Sequence, residues 1–326
     1  MTPAEKEVAA VQEAYSRAAA AYGAQVAAAA IREWAAVNRF TPAGRVVMVA
    51  RMVTLVVAAR VVMATLAARK AQLTQALTTG SQMAGGPSLS TLQELRDAYE
   101  EALRPTGVIR PLRARALDPA TPVPVDEALG SLAGIVEEVN DGIDKEIEDT
   151  IRTLGDARLG RIAKTEGVVR PGDVDTSRNM VAAGLERIAL NGGRHTDVKI
   201  ARRNKSVYGV LRMHNDFAGD KPCAFCAMLL SRGAVYLSVE TASNWSAESS
   251  EMDHYHSGCH CTAEIVHSRA DYETNPRYAL NRTLQAEWKS AIKGKFTGDA
   301  ALPAWRSHVK TLFADGEENK SARVAA

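Results

Sequence analysis

The sequence predicts a mainly α protein: an N-terminal long-helix domain, a proline-rich linker, and a C-terminal α+β part with a zinc-stapled core. Three observations carry this. Alanine and valine dominate while aromatics are only 5% of 326 residues, which disfavours an all-β sandwich. Pro105, Pro111, Pro119, Pro122 and Pro124 crowd one short stretch that cannot continue a helix. All four cysteines fall between Cys223 and Cys261. The length suits two domains. The expected divisions are a helical interaction domain over 1–103, the linker over 104–125, a helical segment over 126–204, a zinc-binding core over 205–275, and C-terminal helices with a disordered tail over 276–326.

Each element has its own signal. Thr2-Pro3-Ala4-Glu5 reads as a helix start, with a capping hydroxyl, proline in the first turn and an acid three residues after the cap. This helix is expected to reach Val37, and its alanine run from Ala27 to Ala30 permits close approach of a neighbour. Thr41-Pro42 opens a second helix the same way, running to Leu77 and apolar on more than one stripe. Ser90-Thr91 opens a third, through Leu103. Beyond the linker, Leu129, Leu132, Val136, Val139, Ile143, Ile147, Ile151 and Leu154 recur at intervals of three and four, one apolar stripe suited to core packing. Pro171-Gly172 reads as a turn. Asp175 reads as a cap for a helix over 178–190 that Asn191-Gly192-Gly193 closes. Val207 to Val210 reads as a strand leading to the first cysteines. Pro276 to Lys293 reads as a helix with Trp288 on its apolar side, and Trp305, Val309, Leu312 and Phe313 as a short final helix before a disordered tail from Asp315.

The formal net charge is +2, so the whole chain carries no nucleic-acid signal. Locally the charge is uneven. No acid falls between Glu33 and Glu94, whereas Arg39, Arg45, Arg51, Arg60, Arg69 and Lys70 do; Asp126 to Asp149 holds nine acids against Lys145 alone. Such asymmetry points to faces that meet charge of the opposite sign, or to solvated surface. Arg194, Lys199, Arg202, Arg203 and Lys205 form a basic strip with a weak DNA contact as one reading and a solvated edge as the plainer one. No membrane partner is expected: Val46 to Leu66 is the most apolar stretch, but Arg51 and Arg60 interrupt it. The first residues read as a helix start, not as a targeting segment.

Residues 221–267 hold the chemistry. Four of the seven histidines, His254, His256, His260 and His267, join the cysteines there. Cys223-x-x-Cys226 lets two thiolates converge from one tight turn. Cys259 and Cys261 point the same way on an extended segment, and His256 stands three before Cys259. Two such halves close a tetrahedral Cys₄ or Cys₃His site, which zinc favours. The candidate ligands are therefore Cys223, Cys226, His256, Cys259 and Cys261, with Zn²⁺ in a structural role. Two disulfides, a redox Cys-x-x-Cys and buried thiols are weaker alternatives: a chain of this size does not need disulfides for a core, and the βαβ context of the redox motif is missing.

Pro222-Cys223-Ala224-Phe225-Cys226-Ala227-Met228-Leu229, with Ser231-Arg232-Gly233 and Val235-Tyr236, resembles the minor head proteins of tailed phages of actinobacteria. The closing His256-x-x-Cys259-x-Cys261 is similar to the end motif of the phage Mu protein F-like group. The resemblance covers residues 205–268, and departs at Leu230, where a small residue is expected. It implies a structural virion protein, built into the head in few copies, with portal and capsid or scaffold proteins as partners. It also implies a place inside the head, and in the host cytoplasm during assembly. Some relatives carry the label of capsid maturation protease, so that activity is the main alternative, and a zinc-dependent hydrolase or nuclease carried in the head is the second.

The residues themselves nominate no catalytic group. No Gly-x-Ser-x-Gly motif is present, and nothing ties Ser231 to a histidine. A deaminase needs His-x-Glu upstream of Pro-Cys-x-x-Cys, whereas His195-Thr196-Asp197 and His214-Asn215-Asp216 both carry the shorter Asp. Five candidate ligands for four positions describe a closed metal site. His254, His260 and His267 with Asp253 and Glu264 are the residues left over for a second, hydrolytic one.

Overall fold

The computed structural model describes residues 3–36, 41–79, 137–203, 207–215, 221–234 and 261–324. The expected third helix, the proline-rich linker, the first part of the apolar stripe, Lys205, His254, His256, Cys259 and His260 lie outside the described residues. Those described form two units, one from residues 3–203, the other from 207–234 and 261–324. Both fit a mainly helical chain with one small antiparallel sheet.

The first unit is helical. Helix α1 spans Pro3–Ala36 and α2 spans Pro42–Thr79, close to the expected bounds. Thr41 caps α2 as expected, its hydroxyl accepting from the Gly44 N–H at 3.1 Å. Helix α3 is Ile143–Thr150, a π turn follows over Ile151–Asp156, and α4 is Ala157–Glu166. Gly155 sits inside this widened turn. A Cβ there would strike the Trp34 ring. Gly167 stops α4 in the left-handed conformation, its N–H donating to the Ala163 carbonyl.

Three expectations fail at α5, which runs from Pro171 to Arg203 without interruption, so that Asp175 lies inside it instead of capping its start. Pro171-Gly172 is its first turn, not a separate turn, because proline at the first helical position gives up an N–H that has no intrahelical partner. Asp173 caps backward, accepting from the Arg170 N–H at 3.0 Å. Gly192-Gly193 does not close the helix. A Cβ at Gly192 would collide with the Arg60 carbonyl oxygen of α2, and one at Gly193 with the Tyr15 hydroxyl of α1. The glycines let three helices approach, and tertiary packing overrides their tendency to end a helix.

The core follows from this approach. Val26, Ala30 and Trp34 of α1 meet Met48, Met52, Val56 and Ala59 of α2, Ile143 and Ile147 of α3, and Leu185 and Ile188 of α5. Val139, Ile143, Ile147 and Ile151 are all buried, so this part of the stripe is core. Helix α2 is long and apolar enough to cross a membrane by length and composition alone. It packs on α1 and α5 and also buries charge. The Arg60 guanidinium donates to the Val139 and Ile188 carbonyls, both at 2.7 Å, and contacts His195 Nδ1 at 3.1 Å. Lys70 pairs with Asp197 at 2.6 Å, 3% and 0% exposed at the side chains, and its ammonium lies over the Tyr15 ring. The opposite face of α2 leaves Val46, Val47 and Val61 exposed.

In the second unit, strand β1 (Gly209–Met213) pairs with β2 (Thr262–Val266), Gly209 opposite Val266 and Met213 opposite Thr262. All ten positions are buried, so both faces of the two-stranded sheet are covered. On one face Leu211, Met213 and Val266 pack against Tyr272 and Tyr278. Helix α6 is Ala224–Leu230, α7 is Arg269–Thr274, and α8 is Ala279–Ala291 after a 3₁₀ turn at Pro276–Tyr278. Helix α9 is Ala301–Val324. It runs further than the expected short final helix, past Phe313 to Val324. Trp288 meets Trp305 edge-on at 5.0 Å, and Trp305 Nε1 donates to the Ala224 carbonyl at 3.0 Å, tying α9 to the start of α6. Buried Asn281 donates to the carbonyls of Arg212 and Leu230, fastening α8 to β1 and α6 together.

Candidate metal centre

The two cysteines of the Cys-x-x-Cys motif are placed by a short helix. Pro222 precedes an extended Cys223, whose sulfur caps α6 by accepting from the Cys226 N–H at 3.4 Å. Cys223 is exposed and Cys226 is 3% exposed. The Cys226 sulfur accepts from Arg212 Nη2 at 3.6 Å. A cation beside a sulfur supports thiolate charge, the form that ligates metal. Cys261 enters at the first residue before β2 and is buried. Its sulfur lies 3.8 Å from His214 Nδ1.

The arrangement therefore holds its soft donors as two pairs, Cys223 with Cys226 and Cys261 with His214. Sulfur and imidazole donors fit zinc. Among the described residues no three histidine, cysteine or acidic side chains converge within reach of one ion. His256 and Cys259, two of the expected ligands, are outside the described residues. His214, the imidazole beside Cys261, was not among the expected ligands; strand register, which only pairing of β1 with β2 supplies, brings the two together.

Of the residues set aside for hydrolysis or proteolysis, Glu264, His267 and Ser231 are described. Glu264 receives a two-pronged contact from Arg277, at 2.9 and 3.1 Å. His267 is largely buried, neither ring nitrogen has a hydrogen-bond partner among the described residues, and burial lowers its pKa to about 4 although Glu264 pulls the other way. Burial also pushes the Tyr278 hydroxyl well above its ordinary range, and Glu264 adds to the shift. The Ser231 hydroxyl is buried and donates to the Met228 carbonyl at 2.7 Å. His195 and Asp197 are engaged by Arg60 and Lys70.

Part of the uneven charge is met within the chain. Arg45 pairs with Asp156 and Arg51 with Glu33. Of the basic strip, Arg194 is buried and donates to Asn191, Lys199 and Arg203 both pair with Glu138, and Arg202 is exposed. These contacts hold the Glu138 carboxyl below its ordinary range, the Lys199 hydrogen bond foremost. Arg187 pairs with Glu146.

Fold and site together define a mainly helical protein with a thiol-bearing hairpin in its smaller unit. Residues 96–291 match the family model described as VG15 protein. The match takes in more than half of the chain and every candidate ligand, and the chain belongs to this family of phage proteins. No curated protein and no solved structure matches the chain significantly.

Proposed function

We propose that the chain is a minor head protein of a tailed phage, structural in role, held at the portal and the inner face of the head, with a structural zinc in its smaller unit. The observation that carries the reading is the phage-family match, which spans the whole thiol stretch. The motif resemblance of residues 205–268 to minor head proteins supports the finer assignment. In this reading the N-terminal helices serve interaction. The exposed Val46, Val47 and Val61 on α2 form the apolar surface that a partner buries. Zinc acts thermodynamically. Cys223 and Cys226 hold it from the α6 turn and Cys261 from the hairpin, and a structural zinc supplies on the order of 10 kcal/mol of folding free energy in apparent terms.

The test is co-expression with the phage's coat, scaffold and portal proteins. The chain is expected to co-sediment with assembled heads while coat and scaffold stay full length, and Val46→Lys with Val61→Lys to lower its incorporation without loss of helix. Trimming of coat or scaffold that depends on this chain, and stops with a point change in it, would make it a maturation protease instead.

A further inference from the structure

We propose that helix α2 pairs with α2 of a second copy of this chain, antiparallel about a two-fold axis at Thr54, so that the chain forms a homodimer through its helical unit. This rests on the reading of α2 as an interaction surface above and names the partner that covers it.

Helix α2 turns Met48, Met52, Val56 and Ala59 into the core. Its other side carries Ala43, Val47, Ala50, Thr54, Ala58, Val61 and Thr65, all exposed or half-buried. At about 100° per residue these positions stay within about 40° of Thr54, so they form one strip roughly 33 Å long. None of them carries a charge. The threonines add no free donor to it. The Thr54 hydroxyl donates to the Ala50 carbonyl at 3.0 Å, and the Thr65 hydroxyl to the Val61 carbonyl at 2.9 Å. Val47 and Val61 are 43% and 39% exposed, which leaves apolar surface in water along the whole strip.

The order of the strip identifies what covers it. Its steps are 4, 3, 4, 4, 3 and 4 residues, the same read from either end. Turned antiparallel about Thr54, Val47 of each copy meets Val61 of the other. Ala50 then meets Ala58, Ala43 meets Thr65, and Thr54 meets its own counterpart. One patch thus serves both sides, as a closed two-fold interface requires. The alanines and the central threonine let the two axes come to the short end of the usual 8–10 Å separation. Arg51 flanks the strip and is already paired with Glu33 of α1 at 3.3 Å, so the two copies bring no unneutralised like charges together. The antiparallel sense also sets opposite ends of the helix dipoles side by side, which a parallel pair does not.

Sedimentation equilibrium of the full chain tests the pairing. Wild type should reach twice the mass of one chain. Val47→Glu and Val61→Lys each set a charge against a valine of the other copy, and each should raise the dimer dissociation constant at least about 10-fold. The two positions lie about 21 Å apart along α2, out of reach of each other within one copy. Val47→Glu with Val61→Lys in one chain should therefore recover the dimer, because in the antiparallel pair every Glu meets a Lys. Circular dichroism should show unchanged helix in all three variants, since both positions face solvent in one copy. A wild type that stays monomeric, or a double variant as dissociated as the single ones, overturns the self-pairing. If incorporation into heads still falls with Val46→Lys and Val61→Lys, the face serves a different protein and only this inference fails. If neither dimer nor incorporation responds, the reading of α2 as an interaction surface fails with it.

Discussion

His267 shows how a single residue links this structure to pH. It is held neutral by burial, with a folded pKa of about 4, against about 6.5 for an unperturbed histidine. The unfolded chain therefore binds the proton first as pH falls. Stability contributed by keeping His267 neutral is present above about pH 6.5 and is lost as pH falls toward 4. Denaturation of the full chain between pH 7 and 4, followed by tryptophan fluorescence, should show His267→Gln with a shallower acid decline than wild type. Parallel declines would mean that His267 does not set this limb.

Lys70 and Asp197 make a second point at the same scale. Their side chains are almost fully excluded from water. Removing one partner strands a buried charge, so Lys70→Met should destabilise the helical unit by about 3–5 kcal/mol, whereas Lys70→Met with Asp197→Leu should recover much of that. Urea unfolding of the three proteins measures the difference. An equal loss in the single and double variants would assign the effect to lost packing against Tyr15, not to charge. None of this pairing is legible in the sequence, where Lys70 reads as one more member of a basic run.

At the scale of elements, the chain's own signals served best where they were local. The proline starts of α1 and α2, the apolar recurrence from Val139 to Ile151, and the amphipathic turn before Trp288 each sit close to where they were expected. They failed at Asn191-Gly192-Gly193, because glycine carries two meanings and only a neighbour decides between them. In α5 the neighbours are Arg60 and Tyr15. This gives a paired prediction. Alanine ordinarily improves a helix by about 1 kcal/mol over glycine. Gly160→Ala in α4, where nothing lies within 4 Å of the added methyl, should show that gain. Gly192→Ala should instead destabilise by about 1–3 kcal/mol through overpacking against α2. Thermal unfolding of both reads it, and a stabilising Gly192→Ala would remove close approach as the reason for that glycine.

At the scale of the whole molecule, the helical class and the small sheet were legible, and the charge pattern was legible but not its destination. The acids Glu138 and Glu146 pair at the surface with Lys199, Arg203 and Arg187. A count along the sequence cannot distinguish such internal pairing from a surface awaiting a partner. Cys223, Cys226 and Cys261 stand out in the sequence by spacing, while the contact of His214 with Cys261 comes only from antiparallel pairing. Helix α2 leaves Val46, Val47 and Val61 exposed, and the phage-family match spans the thiol stretch.

The claim that the chain is a structural head component is tested most directly by quantitative mass spectrometry of purified virions beside the infected-cell lysate. A minor head protein should be present in virions, at a few copies for each portal and far below the coat protein, with intact coat termini attributable to no action of this chain. A chain abundant in the lysate and absent from virions would contradict the structural role.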